Sequence, residues 1–144
     1  MLEVDLSDDY ANAKYISNAK SFPEKWQKKA TNFRNERAFF STVKLDIPYG
    51  SYDREKMDIF YPKKGTTGVF VFIHGGYWRA FDKSTWSHLS LGALDNGFVS
   101  VIPSYRLCPE VSIAQITLDI AKCIIAIANI VDSGPIVRAG RSAG

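Results

Sequence analysis

The chain has 144 residues, 46% of them hydrophobic and 23% charged, which is the composition of a folded domain and not of a disordered chain. Its formal net charge of +3 is too small to indicate nucleic acid or an anionic membrane surface, so we expect neither as a partner. Two cysteines are too few for a disulfide framework, and neither a secretory leader nor an apolar run of about 18 residues is present, so we expect a cytoplasmic protein.

Residues 1–40 are predicted to form a helical segment that packs on the main body of the protein. The sequence Ser7-Asp8-Asp9 is typical of a helix start, because serine caps and acids suit the positive end of the helix dipole. The start of a second helix is predicted at residues 21–24, where Ser-Phe-Pro-Glu has the pattern of a capping box. The face predicted to pack behind it carries Trp26, Ala30, Phe33 and Arg37 at helical spacing. Whether this segment also covers a functional site stays open.

Residues 41–144 are predicted to form an α/β domain that begins with an antiparallel strand pair. Residues 42–47 and 56–61 have the pattern of two short strands, joined by a turn rich in Gly, Ser and Asp. Residues 69–73, Val-Phe-Val-Phe-Ile, form a continuous apolar run, which is typical of a strand buried on both faces.

Helices and strands alternate after this buried strand. Residues 83–96 are predicted as a helix that stops at Gly97, and residues 98–102 as a buried strand that ends at Pro103. Ser112 is predicted to cap a helix whose apolar face carries Ile113, Ile116, Ile120, Ile124 and Ile127. Residues 135–139 are a third buried strand, and the alternation predicts a parallel sheet with right-handed crossovers.

The sequence Gly140-Arg141-Ser142-Ala143-Gly144 matches the pattern G-x-S-x-G directly after the third buried strand. In this pattern the serine sits on a sharp, strained turn after a strand, and the flanking glycines keep neighbouring atoms from colliding. Such a turn lifts the hydroxyl above the carboxyl edge of the sheet. Ser142 is therefore the candidate catalytic nucleophile, and the alternative is an ordinary glycine-rich turn.

A second motif, His74-Gly75-Gly76-Tyr77-Trp78, directly follows the strand that ends at residue 73. Cleavage of an acyl compound passes through a tetrahedral oxyanion, which preorganised backbone N–H groups stabilise. Glycine lets the backbone turn these groups inward and lets a substrate approach closely. We therefore predict an oxyanion hole made by amides of Gly75, Gly76 and Tyr77 and completed by Ala143.

The side chains of the second motif have more than one interpretation. His74 could be the general base, but we favour a role in anchoring the loop through side-chain hydrogen bonds. Tyr77 and Trp78 are predicted to line the substrate pocket, and Trp78 could equally be a packing anchor.

These two motifs, the Tyr-Arg-Leu-Cys-Pro-Glu loop at residues 105–110 and the order of the strands together resemble the α/β-hydrolase superfamily. The segment HGGYWRAFDKS at residues 74–84 is similar to that of small carboxylesterases and the kynurenine formamidase (arylformamidase) group. The resemblance implies a three-layer sandwich around a mostly parallel sheet with an antiparallel N-terminal strand pair. It also implies a small-molecule ester or formamide substrate, an acyl-enzyme on Ser142, and neither metal nor organic cofactor. That group often has histidine before the serine, where this chain has Arg141.

The resemblance further implies a Ser–His–acid triad whose acid and histidine follow the serine in chain order. We expect both residues beyond position 144, with a sheet that is incomplete after the serine turn and a 144-residue chain that is inactive alone. The remaining strands would lie in a longer chain or in a separate partner chain, and a homodimer stays open.

Three other functions stay open from the sequence. A non-catalytic binding or scaffold protein would keep the fold if the natural chain ended at Gly144. A self-contained hydrolase would pair His74 with an upstream acid. A nucleotide-binding domain would need G-x-G-x-x-G after its first strand, and the sequence lacks this pattern.

Overall fold

A computed structural model describes residue 8 and residues 11–40, 42–130 and 134–144 of the protein. Within these ranges five strands form one sheet: β1 (Val43–Pro48), β2 (Lys56–Phe60), β3 (Gly68–Ile73), β4 (Phe98–Pro103) and β5 (Ile136–Gly140). The α-helices of the same ranges are α1 (Phe22–Phe39), α2 (Leu91–Asp95) and α3 (Ile113–Ala128). Short 3-10 helices cover Asn12–Tyr15, Ala19–Ser21, Lys83–Thr85 and Ser87–Ser90. None of the helices in this part of the chain is long and apolar enough to cross a membrane.

The strand order across the sheet is β1-β2-β4-β3-β5. β2 pairs antiparallel with both β1 and β4, whereas β3 lies between β4 and β5 and runs parallel to both. The predicted antiparallel pair and the predicted parallel arrangement of β3, β4 and β5 are thus confirmed. The predicted burial of the last strand is wrong, because β5 lies at the edge of the described sheet and Val137 is 43% exposed. Ile73 at the end of β3 lies opposite Gly140 at the end of β5, so the segments that follow these two strands begin side by side.

Helices cover both faces of the sheet. Because successive side chains of a strand point to opposite sides, β3 contacts both helical layers. Val71 packs with Cys123 and Ile127 of α3 on one face. Phe72, the next residue, belongs to the cluster on the other face, which includes Phe33 of α1. Burial of each such large apolar side chain contributes about 1.5–3 kcal/mol, so both layers hold β3 in place.

The N-terminal segment is less regular than predicted. The predicted helix start at residues 7–9 lies outside the described residues apart from Asp8, and residues 12–21 form two 3-10 turns. The second predicted helix is confirmed as α1, with Ala30, Phe33 and Arg37 buried. Its predicted capping box is wrong, because the Ser21 hydroxyl donates to the Asn18 carbonyl (2.9 Å) and makes no cap bond.

The single helix predicted over residues 83–96 is wrong. Two 3-10 turns precede α2, which begins only at residue 91. Ser87 and Ser90 are fully buried in this segment, and their hydroxyls bond to distant side chains. Arg34 of α1 donates to the Ser87 hydroxyl (2.8 Å), and the hydroxyls of Ser90 and Ser100 are 2.8 Å apart. We infer that these tertiary hydrogen bonds override the helical preference of the segment.

The helix predicted after Ser112 is confirmed as α3, and it begins with a capping box. The Ser112 hydroxyl accepts from the Gln115 N–H, while the Gln115 side chain accepts from the Ser112 N–H. Ile116 and Ile127 are buried as predicted, but Ile113 is 47% exposed, so the buried face begins one turn later.

Candidate active site

The chain turns sharply directly after β5, in the segment of residues 140–144, which we call the elbow. Ser142 has φ 58°, in the left-handed region that non-glycine residues adopt rarely and with strain. A side chain on Gly140 would collide with the Gly144 carbonyl, and a side chain on Gly144 would collide with the Ile73 carbonyl. Both glycines of the G-x-S-x-G pattern are therefore required by backbone packing. Ser142 itself is exposed.

The segment of residues 74–78, which we call the glycine loop, follows β3 and contacts the elbow. A Cβ atom placed on Gly75 would lie 2.9 Å from Ser142 Cβ and 3.3 Å from the Ala143 nitrogen. The loop then turns tightly, since Gly76, Tyr77 and Trp78 all have positive φ. The Gly76 carbonyl accepts hydrogen bonds from the N–H groups of residues 79 and 80, which close this turn.

Backbone amides of the glycine loop and the elbow remain available at this contact. Within the described ranges, the N–H groups of Gly76 and Ala143 donate to no acceptor in the protein. An N–H group without a protein acceptor can bind developing negative charge on a ligand. The structure thus brings Gly75, Gly76, Ser142 and Ala143 together, as predicted for an oxyanion hole beside a nucleophile, while the catalytic roles stay predictions.

His74 lies behind the glycine loop and is fully buried. Its Nδ1–H donates to the Gly75 carbonyl (2.8 Å), and its ring stacks on the Tyr105 ring with centroids 4.4 Å apart. The Tyr105 hydroxyl in turn donates to the His74 carbonyl (2.5 Å). Burial lowers the pKa of His74 to about 4, although the Gly75 hydrogen bond opposes this shift, so the ring is neutral at pH 7. Two roles were considered for His74, general base and loop anchor, and this geometry fits the loop anchor.

Arg54 extends this anchor, and the sequence pattern gave no sign of it. Its Nε donates to the Tyr105 carbonyl (2.7 Å), and its Nη2 donates to the Phe81 carbonyl (2.6 Å). One guanidinium therefore connects Phe81, which follows the glycine loop in the chain, with Tyr105, whose ring stacks on His74. Only a three-dimensional structure can reveal this role, because Arg54 is 27 residues from Phe81 and 51 from Tyr105.

A pocket of about 320 Å³ opens beside Ser142. Gly75, Gly76 and Tyr77 line it together with the serine. Trp78 is not among its lining residues, and packs instead against the cluster that contains Tyr105. Of its two predicted roles, the position of Trp78 fits the packing anchor.

The N-terminal segment forms a wall of this pocket. The residues of this segment that line the pocket include Asn12, Ala13, Ile16, Ala19 and Phe22. The Asn12 side-chain amide donates to the Tyr77 hydroxyl (2.7 Å), which connects the wall to the glycine loop. The covering role that the sequence left open therefore has a structural basis.

Arg141 and two tryptophans form a further part of the pocket that the sequence did not predict. The guanidinium carbon lies 5.1 Å from the Trp26 ring centroid and 5.0 Å from the Trp86 ring centroid. The two indole rings are themselves 4.9 Å apart.

The described residues contain no group of three or more His, Cys, Asp or Glu that could hold a metal ion.

The chain is similar to proteins that are named as formamidases and esterases, although no family model matches it. It is 35% identical over 72 residues to kynurenine formamidase of Drosophila melanogaster, which covers 49% of the chain and 24% of that protein. It is 29% identical over 114 residues to isoprenylcysteine alpha-carbonyl methylesterase of Arabidopsis thaliana, which covers 74% of the chain and 27% of that protein. The chain thus spans about a quarter of the length of these relatives.

Two solved structures superpose on most of the chain. A protein from a Silicibacter species, provisionally described as a thioesterase, is 48% identical and gives a TM-score of 0.93 over 99% of this chain and 53% of its own. Esterase B of Lactobacillus rhamnosis is 18% identical and gives a TM-score of 0.65 over 90% of this chain and 47% of its own. At that identity the second likeness concerns the fold alone.

Proposed function

Since this chain has the α/β-hydrolase fold, we propose that the intact protein is a serine hydrolase that cleaves carboxylic esters or formyl amides through an acyl-enzyme on Ser142. The Ser142 hydroxyl attacks the acyl carbon, and the oxyanion that forms accepts hydrogen bonds from amides of the glycine loop and from Ala143. Collapse of this intermediate breaks the bond to the alcohol or amine, which leaves with the proton taken from Ser142. Water then hydrolyses the acyl-enzyme, which releases the acid and restores the serine hydroxyl.

One observation carries this proposal: a strained serine turn lies against a glycine loop that offers an unpaired amide. Ser142 has φ 58°, and Gly75 approaches so closely that no side chain fits between them. A strained, exposed hydroxyl beside preorganised donors is the arrangement that acyl transfer requires. An ordinary glycine-rich turn would need no such approach.

The proton of Ser142 needs a general base, and we propose a histidine, oriented by a carboxylate, beyond residue 144. His74 is a poor candidate for this role. Its ring is fully buried against Tyr105, and its Nδ1–H is used by the Gly75 carbonyl. It also does not line the pocket that contains Ser142.

The substrate class follows from the relatives and from the size of the pocket. Three of the similar proteins are named as a formamidase, a methylesterase and a thioesterase, all of which cleave a bond to an acyl group. The pocket of about 320 Å³ lies at the small end of the range for ligand sites, about 300–1,000 Å³. Short acyl or formyl groups therefore suit it best.

Labelling of the intact protein with a fluorophosphonate probe, followed by peptide mapping, tests the nucleophile. We expect the label on Ser142, no label in Ser142→Ala, and unchanged labelling in Ser51→Ala, which removes another exposed serine hydroxyl. A panel of short p-nitrophenyl esters and N-formyl aromatic amines then ranks the two activities. A label on a different residue would refute the assignment.

The alternative is a non-catalytic protein that uses the same pocket for binding. It would bind small acyl compounds in calorimetry while neither taking up the probe nor cleaving any member of the panel. The labelling experiment therefore separates the two functions directly.

A further inference from the structure

Among the described residues, the lining of the pocket beside Ser142 carries a single charge. Its described lining consists of aromatic, aliphatic, glycine and neutral polar residues, and Arg141 is the only charged member among them. Arg141 is also exposed, so its guanidinium is accessible from solvent. The side chains that hold this accessible guanidinium in place are therefore informative.

Aromatic faces, not carboxylates, hold the Arg141 guanidinium. It lies about equally far from the Trp26 and Trp86 rings, at 5.1 and 5.0 Å. Such cation–π contacts attract the charge and fix its position without using its N–H groups. Among the described residues no carboxylate forms an ion pair with Arg141, and its guanidinium donates no hydrogen bond. Its five N–H donors are thus positioned but unused.

We propose that Arg141 binds a carboxylate of the substrate and so makes the enzyme selective for anionic esters or formamides. This inference rests on the proposed function, because it assigns the group that the hydrolytic pocket recognises. The planar fork of a guanidinium matches the two oxygens of a carboxylate. A phosphate monoester suits the pocket less well, since it carries about 1.5–2 negative charges at pH 7 and only one cation would face it.

The position of Arg141 explains how recognition and reaction would be coupled. It directly precedes Ser142 in the elbow, and both residues line the same pocket. A substrate held by its carboxylate would therefore have little freedom to place its acyl carbon elsewhere. Trp26 and Trp86 act through Arg141 and are positioning residues in this proposal.

Matched pairs of substrates test the proposal in the intact protein. One pair compares p-nitrophenyl hemiglutarate with the ester in which an isopropyl group replaces the carboxylate. The other pair places the charge on the leaving group and compares m-acetoxybenzoate with m-isopropylphenyl acetate. The measured quantity is the ratio of kcat/KM for the anionic member to that for the neutral member.

We expect Arg141→Met to lower this ratio by roughly 10- to 100-fold in at least one pair, the effect of losing a charge-assisted hydrogen bond. Arg141→Lys, which keeps the charge but not the fork, should lower it by a smaller factor. Arg138→Met removes the same charge from a residue outside the pocket lining and should leave the ratio within about twofold of wild type. A ratio that Arg141→Met leaves within about twofold of wild type in both pairs overturns the proposal.

Inhibition of the unmutated protein covers the case in which Arg141→Met does not fold. Benzoate should inhibit hydrolysis of the neutral ester at a concentration roughly tenfold below that needed for benzamide. Equal inhibition by the two compounds overturns the proposal. If the fluorophosphonate labels Ser142 but the ratio and the inhibition show no preference for anions, only this inference fails. If Ser142 is not labelled, the proposed function fails as well.

Discussion

Replacing Gly75 by alanine should push apart the two segments that meet at Ser142. The substitution adds one methyl group at a point where the glycine loop contacts the elbow. This methyl would lie 2.9 Å from Ser142 Cβ and 3.3 Å from the Ala143 nitrogen, and it would collide with the Arg141 carbonyl. The φ angle of Gly75 is not in the left-handed region, so the predicted effect is steric and not conformational.

The size of the effect follows from these distances. Carbon atoms in ordinary contact are about 3.5–4.0 Å apart, so the loop and the elbow must separate by about 0.6–1 Å. A misplacement of about 1 Å in a catalytic constellation costs about 100-fold in rate. We therefore expect kcat of Gly75→Ala to fall about 100-fold, and the free energy of unfolding to fall by about 1–3 kcal/mol because of overpacking.

The assay compares steady-state hydrolysis of p-nitrophenyl acetate with urea denaturation for the same variants. Gly92→Ala is the matched control, because a Cβ on Gly92 meets nothing within 4 Å. Gly92 lies in α2, where alanine should raise the free energy of unfolding by about 0.5–1 kcal/mol and leave kcat unchanged. A Gly75→Ala variant with wild-type kcat would show that the contact between the two segments is irrelevant to the reaction.

Three further predictions concern stability. Burial lowers the pKa of His74 to about 4 from 6.5, so the free energy of unfolding should fall as the pH drops from about 6.5 to 4, by up to about 3 kcal/mol. The free energy of unfolding of His74→Asn, measured by denaturation, should depend less on pH over this range. A pH dependence equal to that of wild type would contradict the assignment of the effect to His74. Ser112→Ala removes the cap of α3 and should cost about 1 kcal/mol in urea denaturation, whereas Ser51→Ala, at an exposed turn, should cost little. Lys83→Met leaves the buried Asp58 carboxylate without its 2.8 Å ion pair and should lower the free energy of unfolding by about 3–5 kcal/mol. A decrease of less than about 1 kcal/mol would refute this prediction.

Local sequence patterns were sufficient wherever a segment is held by its immediate neighbours. The apolar run at residues 69–73 predicted β3, because a strand covered on both faces must be apolar at every position. The G-x-S-x-G pattern predicted the strained turn at Ser142, since its two glycines face backbone carbonyls and no other residue fits. The glycine loop was predictable for the same reason.

Features that depend on distant partners were not predictable. Residues 83–96 have a helical pattern, but Ser87 and Ser90 turn inward to Arg34 and Ser100. The position of Arg141 depends on Trp26, which is 115 residues earlier in the chain, and on Trp86. Nothing in the periodicity of either segment indicates these contacts.

The wall formed by residues 12–21 has a consequence for enzyme engineering. Its two 3-10 turns contain no buried residue, so changes there remove little of the packing that keeps the protein folded. Libraries confined to this stretch can enlarge the cavity for bulkier ligands while the sheet and Ser142 keep their geometry.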